Sequence, residues 1–254
     1  MKISLITPSY NQAEFIQCTM ESVLAQTGHF ELEYVVLDGG STDGTVDILR
    51  SYGNRINWHS ERDDGQVDAI NKGFRAATGE VVGWLNSDDV LLPGALQRVA
   101  DAFKVIESVQ WVFGDCIVVD RKGTEVRNWV TAYKRYQAKR YSRQRLLASN
   151  FISQMTVFWR RDLIDKVGLL DASLLLAFDY EYWLRLANVC DPVYIDAPQA
   201  AFRWYTTSKS GGNVSEQCRE DESIAARHGI HGTRAISKRI QNWIRIAAYR
   251  WLPV

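Results

Sequence analysis

The chain contains no Cys-x-x-Cys pair. Its four cysteines, Cys18, Cys116, Cys190 and Cys218, are scattered, which argues against a zinc site and against a disulfide framework and leaves buried, reduced thiols. Also missing is any run near the roughly 18 consecutive apolar residues of a membrane span, and no signal-peptide pattern precedes the strand pattern that begins at Lys2, so a cytoplasmic protein is expected. There is no G-x-G-x-x-G and no Walker A sequence. Without a dinucleotide fingerprint or a P-loop, any phosphate must be handled by a metal or by side chains. Acids stop at Glu222, after which Arg227, Arg234, Lys238, Arg239, Arg245 and Arg250 supply six of the 30 basic residues of a chain whose formal net charge is zero. An acidic body is therefore followed by a basic tail. The four histidines, His29, His59, His228 and His231, match no chemical role.

What is present fits an ordinary globular chain of 254 residues, 46% hydrophobic and 24% charged, large enough for one sizeable core. Ile3 to Thr7 reads as a buried strand ended by Pro8, and Asn11 with Glu14 resembles a capping box opening a helix with Phe15, Ile16, Met20, Val23 and Leu24 on one face. Tyr34 to Leu37 gives a second strand, followed by Asp38 and the tight loop Gly39 to Gly44. Ile56 to Ser60 gives a third, and Val67, Ile70, Phe74 and Ala77 recur at helical spacing after Asp63 and Asp64.

The fourth strand, Val81 to Leu85, runs straight into Asn86-Ser87-Asp88-Asp89. Alternation of strand and helix predicts an α/β fold with a mainly parallel sheet and helices on both faces. Polar residues then gather at the carboxyl ends of the strands: Ser9, Tyr10 and Asn11; Asp38; Asp63 and Asp64; Asp88 and Asp89. That edge is where ligands bind in open α/β sheets. Asp88 is the candidate ligand for Mg²⁺ or Mn²⁺; the alternative is that Asp88 or Asp89 caps a helix whose first turn holds Pro93.

From Trp111 the pattern turns antiparallel. Trp111 to Phe113, Cys116 to Val119 and Glu125 to Trp129 read as short strands, with a hairpin turn at Asp120 to Gly123. Lys134, Arg135, Lys139, Arg140, Arg143 and Arg145 interleave with Tyr133, Tyr136 and Tyr141. In an acidic body this suits a solvated loop or a phosphorylated substrate better than nucleic acid. Phe151 to Trp159, containing Gln154, reads as a strand, Asp162 to Val167 as a short helix, and Asp179 to Ala187 as a helix with Tyr182, Trp183 and Leu186 inward. Val193 to Ile195 and Ala200 to Tyr205 complete the sheet, and Thr206 to Asn213 reads as a mobile loop. In the tail, Ile236, Ile240, Trp243, Ile244, Ala247 and Trp251 share one helical face, with Lys238, Arg239, Arg245 and Arg250 elsewhere. Such a helix lies on an anionic membrane or packs on protein; the pattern favours neither.

Four motifs in order, Thr7-Pro8-Ser9-Tyr10-Asn11, Asp38-Gly39-Gly40-Ser41-Thr42-Asp43-Gly44-Thr45, Asn86-Ser87-Asp88-Asp89 and Asp179-Tyr180-Glu181-Tyr182-Trp183-Leu184-Arg185, resemble those of the family 2 glycosyltransferases. The resemblance covers Lys2 to Ser210 and implies a GT-A fold and inverting transfer of a sugar from a nucleotide donor to an acceptor hydroxyl. It is nearest to bacterial enzymes that build cell-surface polysaccharides. It divides the chain into a catalytic domain, 1–215, with a nucleotide-sugar half at 1–110 and an acceptor half at 111–215, and a helical basic tail at 216–254.

By that resemblance Thr7, Pro8, Tyr10, Asn11 and Asp38 meet the nucleotide, and Asp64, Gln66, Asn71, Asn86 and Ser87 line the donor pocket. Asp88 holds Mn²⁺ or Mg²⁺, and Asp179 is the catalytic base. Gln154, Trp183, Arg203 and Tyr205 fall to the acceptor or to a loop near the pyrophosphate. Asn86 replaces the first acid of the family's Asp-x-Asp, and Phe178 replaces the glutamate before Asp179. The implied partners are a nucleotide-diphosphate sugar, UDP before dTDP or GDP, and a glycan or lipid-linked acceptor, which would place the protein at the cytoplasmic face of the inner membrane. Rival readings are a non-catalytic nucleotide-sugar-binding protein and a sugar nucleotidyltransferase. The latter is disfavoured because Pro8-Ser9-Tyr10-Asn11 stands where a Gly- and Arg-rich loop would be expected.

Overall fold

Short β-branched runs bounded by glycine, proline or acids alternate with amphipathic stretches, and each pair folds as a strand and a helix. The computed structural model describes residues 1–105 and 108–251, without the side chains of residues 210 and 248–251. Its first half comprises β1 (Lys2–Ser9), α1 (Ile16–Leu24), β2 (Glu31–Asp38), α2 (Thr45–Ser51), β3 (Asn57–Ser60), α3 (Gln66–Ala76), β4 (Val81–Trp84), β5 (Val90–Leu91) and α4 (Ala95–Val105). Then follow β6 (Trp111–Val119), α5 (Asn128–Ala138), α6 (Arg143–Ala148), β7 (Phe158–Arg160), α7 (Leu163–Val167), α8 (Phe178–Val189), β8 (Val193–Arg203), α9 (Lys209–Gly212), α10 (Val214–Arg227) and α11 (Gly232–Trp251).

Among the described residues the strands form one eight-stranded sheet in the order β3-β2-β1-β4-β7-β6-β8-β5. β1 is parallel to β2 and β4, and β2 to β3, whereas β7 runs antiparallel to β4 and β6, and β5 to β8. This is the expected mixed α/β architecture. Ser9 pairs with Asp38 and Asp38 with Ser60, so the register sets three polar strand ends side by side. On one face Ile3, Leu5, Val36 and Val81 pack with Ile16, Met20, Leu96 and Val99 of α1 and α4. On the other, Phe74 of α3 meets Trp84 and Trp159 edge-on at 5.8 and 5.2 Å. Gly73 permits that approach, since a Cβ there would lie 2.6 Å from Ile6.

The chain makes two compact units. One comprises Met1–Cys116, Ser153–Leu170 and Pro192–Phe202, the other Ile117–Ile152, Asp171–Asp191 and Arg203–Val254. No helix among the described residues is long and apolar enough to cross a membrane.

Several local expectations are corrected. Asn11 and Glu14 do not cap α1, which begins at Ile16 with no side-chain cap; Asn11, at φ 52°, serves another loop instead. Trp111–Val119 is one strand because Gly114 makes no turn; it leaves room for Gln199, whose Cγ would lie 2.4 Å from an added Cβ. Glu125 makes only a bridge to Val119, and the chain turns into α5 at Arg127, held at φ 54° with its guanidinium 3.7 Å from the ring centre of Trp204. The basic tract after it is helical, as α5 and α6. Gln154–Thr156 forms a 3₁₀ turn, the Thr156 hydroxyl bonding the Ser153 carbonyl at 2.8 Å, and the strand begins only at Phe158. Val193–Arg203 is continuous, and the expected loop at Thr206–Asn213 contains α9, capped by Ser208 accepting from Gly211 N.

The tail helix forms, with an orientation that amphipathicity alone does not give. Lys238 and Asn242 are buried while Ile236, Ile240, Trp243 and Ile244 are exposed. The side chains of Arg250 and Trp251, and residues 252–254, lie outside the described residues.

Candidate active site

In the first unit the loops after β1 and β2 are bonded to each other. Asn11 N donates to Ser41 Oγ at 2.7 Å, Asn11 Oδ1 accepts from Thr42 N at 2.9 Å, and Ala13 N donates to Asp43 Oδ2 at 2.9 Å. Buried Asp38 gathers the same loop, accepting from Gly40 N, Ser41 N and the hydroxyls of Ser41 and Ser60. Tyr10 beside them is 61% exposed, free to stack on a flat ring. Thr7 is buried and accepts from Tyr34 OH at 3.1 Å, and Pro8 is buried beside it. Both belong to the floor under the edge.

The Asn86–Asp89 turn follows β4. Gln66 Nε2 donates to Asn86 Oδ1 at 2.8 Å, and Asn86 Nδ2 lies 3.4 Å from Asp89 Oδ2. An amide suits position 86 for this reason: it donates to buried Asp89, where a second carboxylate would repel it. The two residues of β5 and then Leu92, Pro93 and Gly94 separate Asp89 from Ala95, the first residue of α4, so neither Asp88 nor Asp89 stands at the cap of that helix. The turn is pinned from behind by Thr19, whose buried hydroxyl is shared between the carbonyls of Ser87 at 2.9 Å and Asp89 at 2.8 Å. Thr19 was not singled out from the sequence; a polar residue on the apolar face of α1 was its only mark.

Asp88 itself is half-buried. Among the described residues no three His, Cys, Asp or Glu side chains converge into a metal cage. Mg²⁺ and Mn²⁺ are commonly held by one or two carboxylates together with substrate phosphates, and Asp88 at this edge fits such a ligand.

The other donor candidates separate. Asp64 is exposed, its N–H donating to Asp68 Oδ2 at 3.3 Å. Asn71 is turned away, both ends of its amide bonded to the backbone of Leu170 at 3.0 Å. Gln154 is buried, with Nε2 donating to Trp84 O at 2.6 Å.

In the second unit Asp179 stands in the first turn of α8, a half-buried residue whose carboxyl lies among packed chain. Burial pushes it up to about 6, against the N–H of Tyr180, with the charge of Asp221 adding to the rise and Lys134 and a hydrogen bond from Asn150 opposing it. Asn150 Oδ1 is buried and unpartnered among the described residues. Glu220 of α10 fixes the approach to this helix, accepting from the N–H groups of Leu175, Leu176 and Ala177 at 3.0, 2.8 and 2.8 Å. Glu181 is engaged elsewhere: Arg185 at 2.8 Å and His228 at 3.5 Å flank it.

Trp183 is fully buried against Tyr182, and Arg203, also buried, donates to the carbonyls of Asp120 and Arg121 at 3.2 and 3.0 Å. Tyr205 O accepts from the Ser208 hydroxyl at 2.7 Å, and the Arg121 guanidinium lies 5.9 Å from the Tyr205 ring centre. Beside α5 an open groove of about 400 Å³ is lined by Glu125, Asn128, Arg135, Tyr136, Lys139 and Arg140, among others.

An uncharacterized glycosyltransferase of Mycobacterium tuberculosis is 33% identical over 200 residues, 76% of this chain and 71% of that one. Other curated relatives are longer still, and the chain spans only 35% to 61% of three of them. S. aureus TarS in complex with UDP-GlcNAc superposes with a TM-score of 0.70 at 18% identity, over 99% of this chain and 73% of that one. The mannosyltransferase PcManGT of Pyrobaculum calidifontis, in complex with GDP-Man and Mn²⁺, gives 0.67 at 19% over 98% and 71%. These solved structures share the GT-A fold. Residues 4–168 match the family described as Glycosyl transferase family 2, and with its four motifs and sheet the chain belongs to that family of glycosyltransferases.

Proposed function

We propose that the chain is an inverting, divalent-metal-dependent transferase. It moves a sugar from a nucleotide diphosphate, UDP first, to a hydroxyl of a glycan or lipid-linked saccharide in cell-surface polysaccharide synthesis. The first unit takes the donor: Tyr10 stacks on the base, the loop organised by Asn11 and Asp38 meets the ribose, and Asp64, Gln66, Asn86 and Ser87 border the diphosphate. Asp88 would hold Mn²⁺ or Mg²⁺, which as a Lewis acid offsets charge on the departing diphosphate. The second unit takes the acceptor, and the basic groove beside α5 suits one carrying acidic groups.

In the transfer, the acceptor oxygen forms a bond to the anomeric carbon as the bond to the diphosphate breaks. The electron pair leaves with phosphate, and the proton goes to Asp179. The observation that carries this reading is the setting of Asp179, a carboxyl at about 6 with the unpartnered Oδ1 of Asn150 close by. Such a base is charged at neutral pH yet basic enough to take a proton, and Asn150 Oδ1 offers an acceptor to a neighbouring hydroxyl of the acceptor sugar. Complexes of TarS with UDP-GlcNAc and of PcManGT with GDP-Man and Mn²⁺ support the donor class and the metal.

The test is thermal unfolding with UDP, GDP and dTDP, each with and without Mn²⁺. A nucleotide at roughly 100 times its Kd should stabilise by about 2.7 kcal/mol. No shift with any nucleotide would refute the reading. Hydrolysis of the matching sugar nucleotide, followed by NMR, should release the anomer opposite to that of the donor; retention would overturn the mechanism.

A further inference from the structure

α11 packs on its unit through its charged face. Lys238 is 2% exposed, its Nζ donating to Tyr180 OH at 3.2 Å and to Ala148 O at 3.4 Å. One turn on, Asn242 Nδ2 donates to Cys218 O at 3.2 Å and Glu222 Oε1 at 3.0 Å. A further turn on, Arg245 reaches Asp221 at 3.2 Å and Gln217 Oε1 at 2.7 Å. Spacing of four and three residues puts all three on one side of the helix. On the opposite side Ile236, Ile240, Trp243 and Ile244 are 58%, 55%, 72% and 57% exposed.

A helix that only needed to pack on protein would bury the isoleucines and leave the cations in water. Here the reverse holds: α10 supplies Asp221, Glu222 and Gln217 as partners for the inward polar face, and a continuous apolar row is turned outward. The surroundings select what covers that row. Beyond Glu222 the chain has no acid. Arg239, beside the row, reaches Glu222 at 3.7 Å, yet its side chain is 75% exposed and so within reach of anionic headgroups, and Arg234 in the first turn is exposed as well. A second copy would bring two acid-free helices together, whereas an anionic lipid surface satisfies both the cations and the apolar row, with Trp243 suited to the headgroup level.

We propose that α11 seats the protein on an anionic membrane surface, with Ile236, Ile240, Trp243 and Ile244 entering the headgroup boundary. The inference does not depend on the identity of the donor or on the role of Asp179. Its test is flotation of the full chain with phosphatidylcholine vesicles, with and without phosphatidylglycerol. The chain should float with the anionic vesicles, less so in high salt, and Ile240→Ser with Trp243→Ser should weaken vesicle affinity by about tenfold or more. Both changes are at exposed positions, so circular dichroism and nucleotide binding should be unchanged. Absence of flotation with phosphatidylglycerol would overturn the proposal, as would equal flotation of the double variant. So would a concentration-dependent dimer that the double variant abolishes while neither form floats, since a second copy would then cover the row.

Discussion

The hydroxyl of Thr19, in the first helix, lies 2.8 Å from the carbonyl oxygen of Asp89, 70 residues away. The turn carrying Asp88 is thus held in place by a helix that contributes no charge to it. Thr19→Val, which keeps the shape and removes the hydroxyl, leaves buried carbonyls without their donor and should cost about 1–3 kcal/mol. Urea unfolding measures this, and Thr19→Ser should restore most of it. Nucleotide affinity should fall in the valine variant and recover in the serine one.

Asp88 and Asp89 should behave differently although they are adjacent. Asp88 is half-buried at the sheet edge, so Asp88→Ala should leave the unfolding midpoint nearly unchanged while abolishing the gain in UDP affinity given by Mn²⁺. Asp89 is fully buried, and Asp89→Ala should instead lower stability. Isothermal titration of UDP with Mn²⁺ and then with EDTA checks the first; equal affinity in both would remove Asp88 from the metal.

For the proposed base, Asp179→Asn should cut transfer by roughly 10²–10⁴ with nucleotide affinity nearly intact. Glu181→Gln should keep the transfer rate within a few-fold and lose stability, because Glu181 is buried beside Arg185 and His228. Rates at saturating donor decide the matter. A near wild-type rate for Asp179→Asn beside an inactive Glu181→Gln variant would move the base by two residues.

The pH dependence has a definite sign. With its folded value near 6 against an ordinary 3.8, Asp179 binds more protons folded than unfolded between those limits. Its ionisation therefore opposes folding: this contribution falls as pH rises from about 4 to 6 and stays unfavourable above. Asp179→Asn should accordingly raise stability at neutral pH by up to about 3 kcal/mol while transfer collapses. Differential scanning calorimetry at pH 7.5 and at pH 4 should show the gain shrink at the lower pH. Transfer by the wild type should decline as pH falls through about 6.

The mainly parallel sheet and the succession of the first four strands along the chain were legible because buried strands read as apolar runs closed by Pro8, Asp38 and Asn86, whereas their order within the sheet was not. The polar edge followed from the same stops. The partners across the sequence were not legible. Asn71 bonds to Leu170, 99 residues away, and Glu220 to Leu175, 45 away, and no local pattern reports such pairs. The expected break between Phe113 and Cys116 is absent because Gly114 makes room for Gln199, which is distant in sequence. The tail was readable as amphipathic, yet which side turns inward depends on Asp221 and Glu222 waiting on another helix.

The two units are each assembled from three stretches of chain, and the backbone passes between them five times. Exchanging specificity with a relative is therefore not a matter of one splice. A hybrid joined near Cys116 alone would leave the first unit with the relative's counterparts of Ser153–Leu170 and Pro192–Phe202, so that foreign β7 and β8 would have to complete its sheet. A graft of the second unit has to carry Ile117–Ile152, Asp171–Asp191 and the stretch from Arg203 together, so gene shuffling at single crossovers should yield mostly unfolded chimeras.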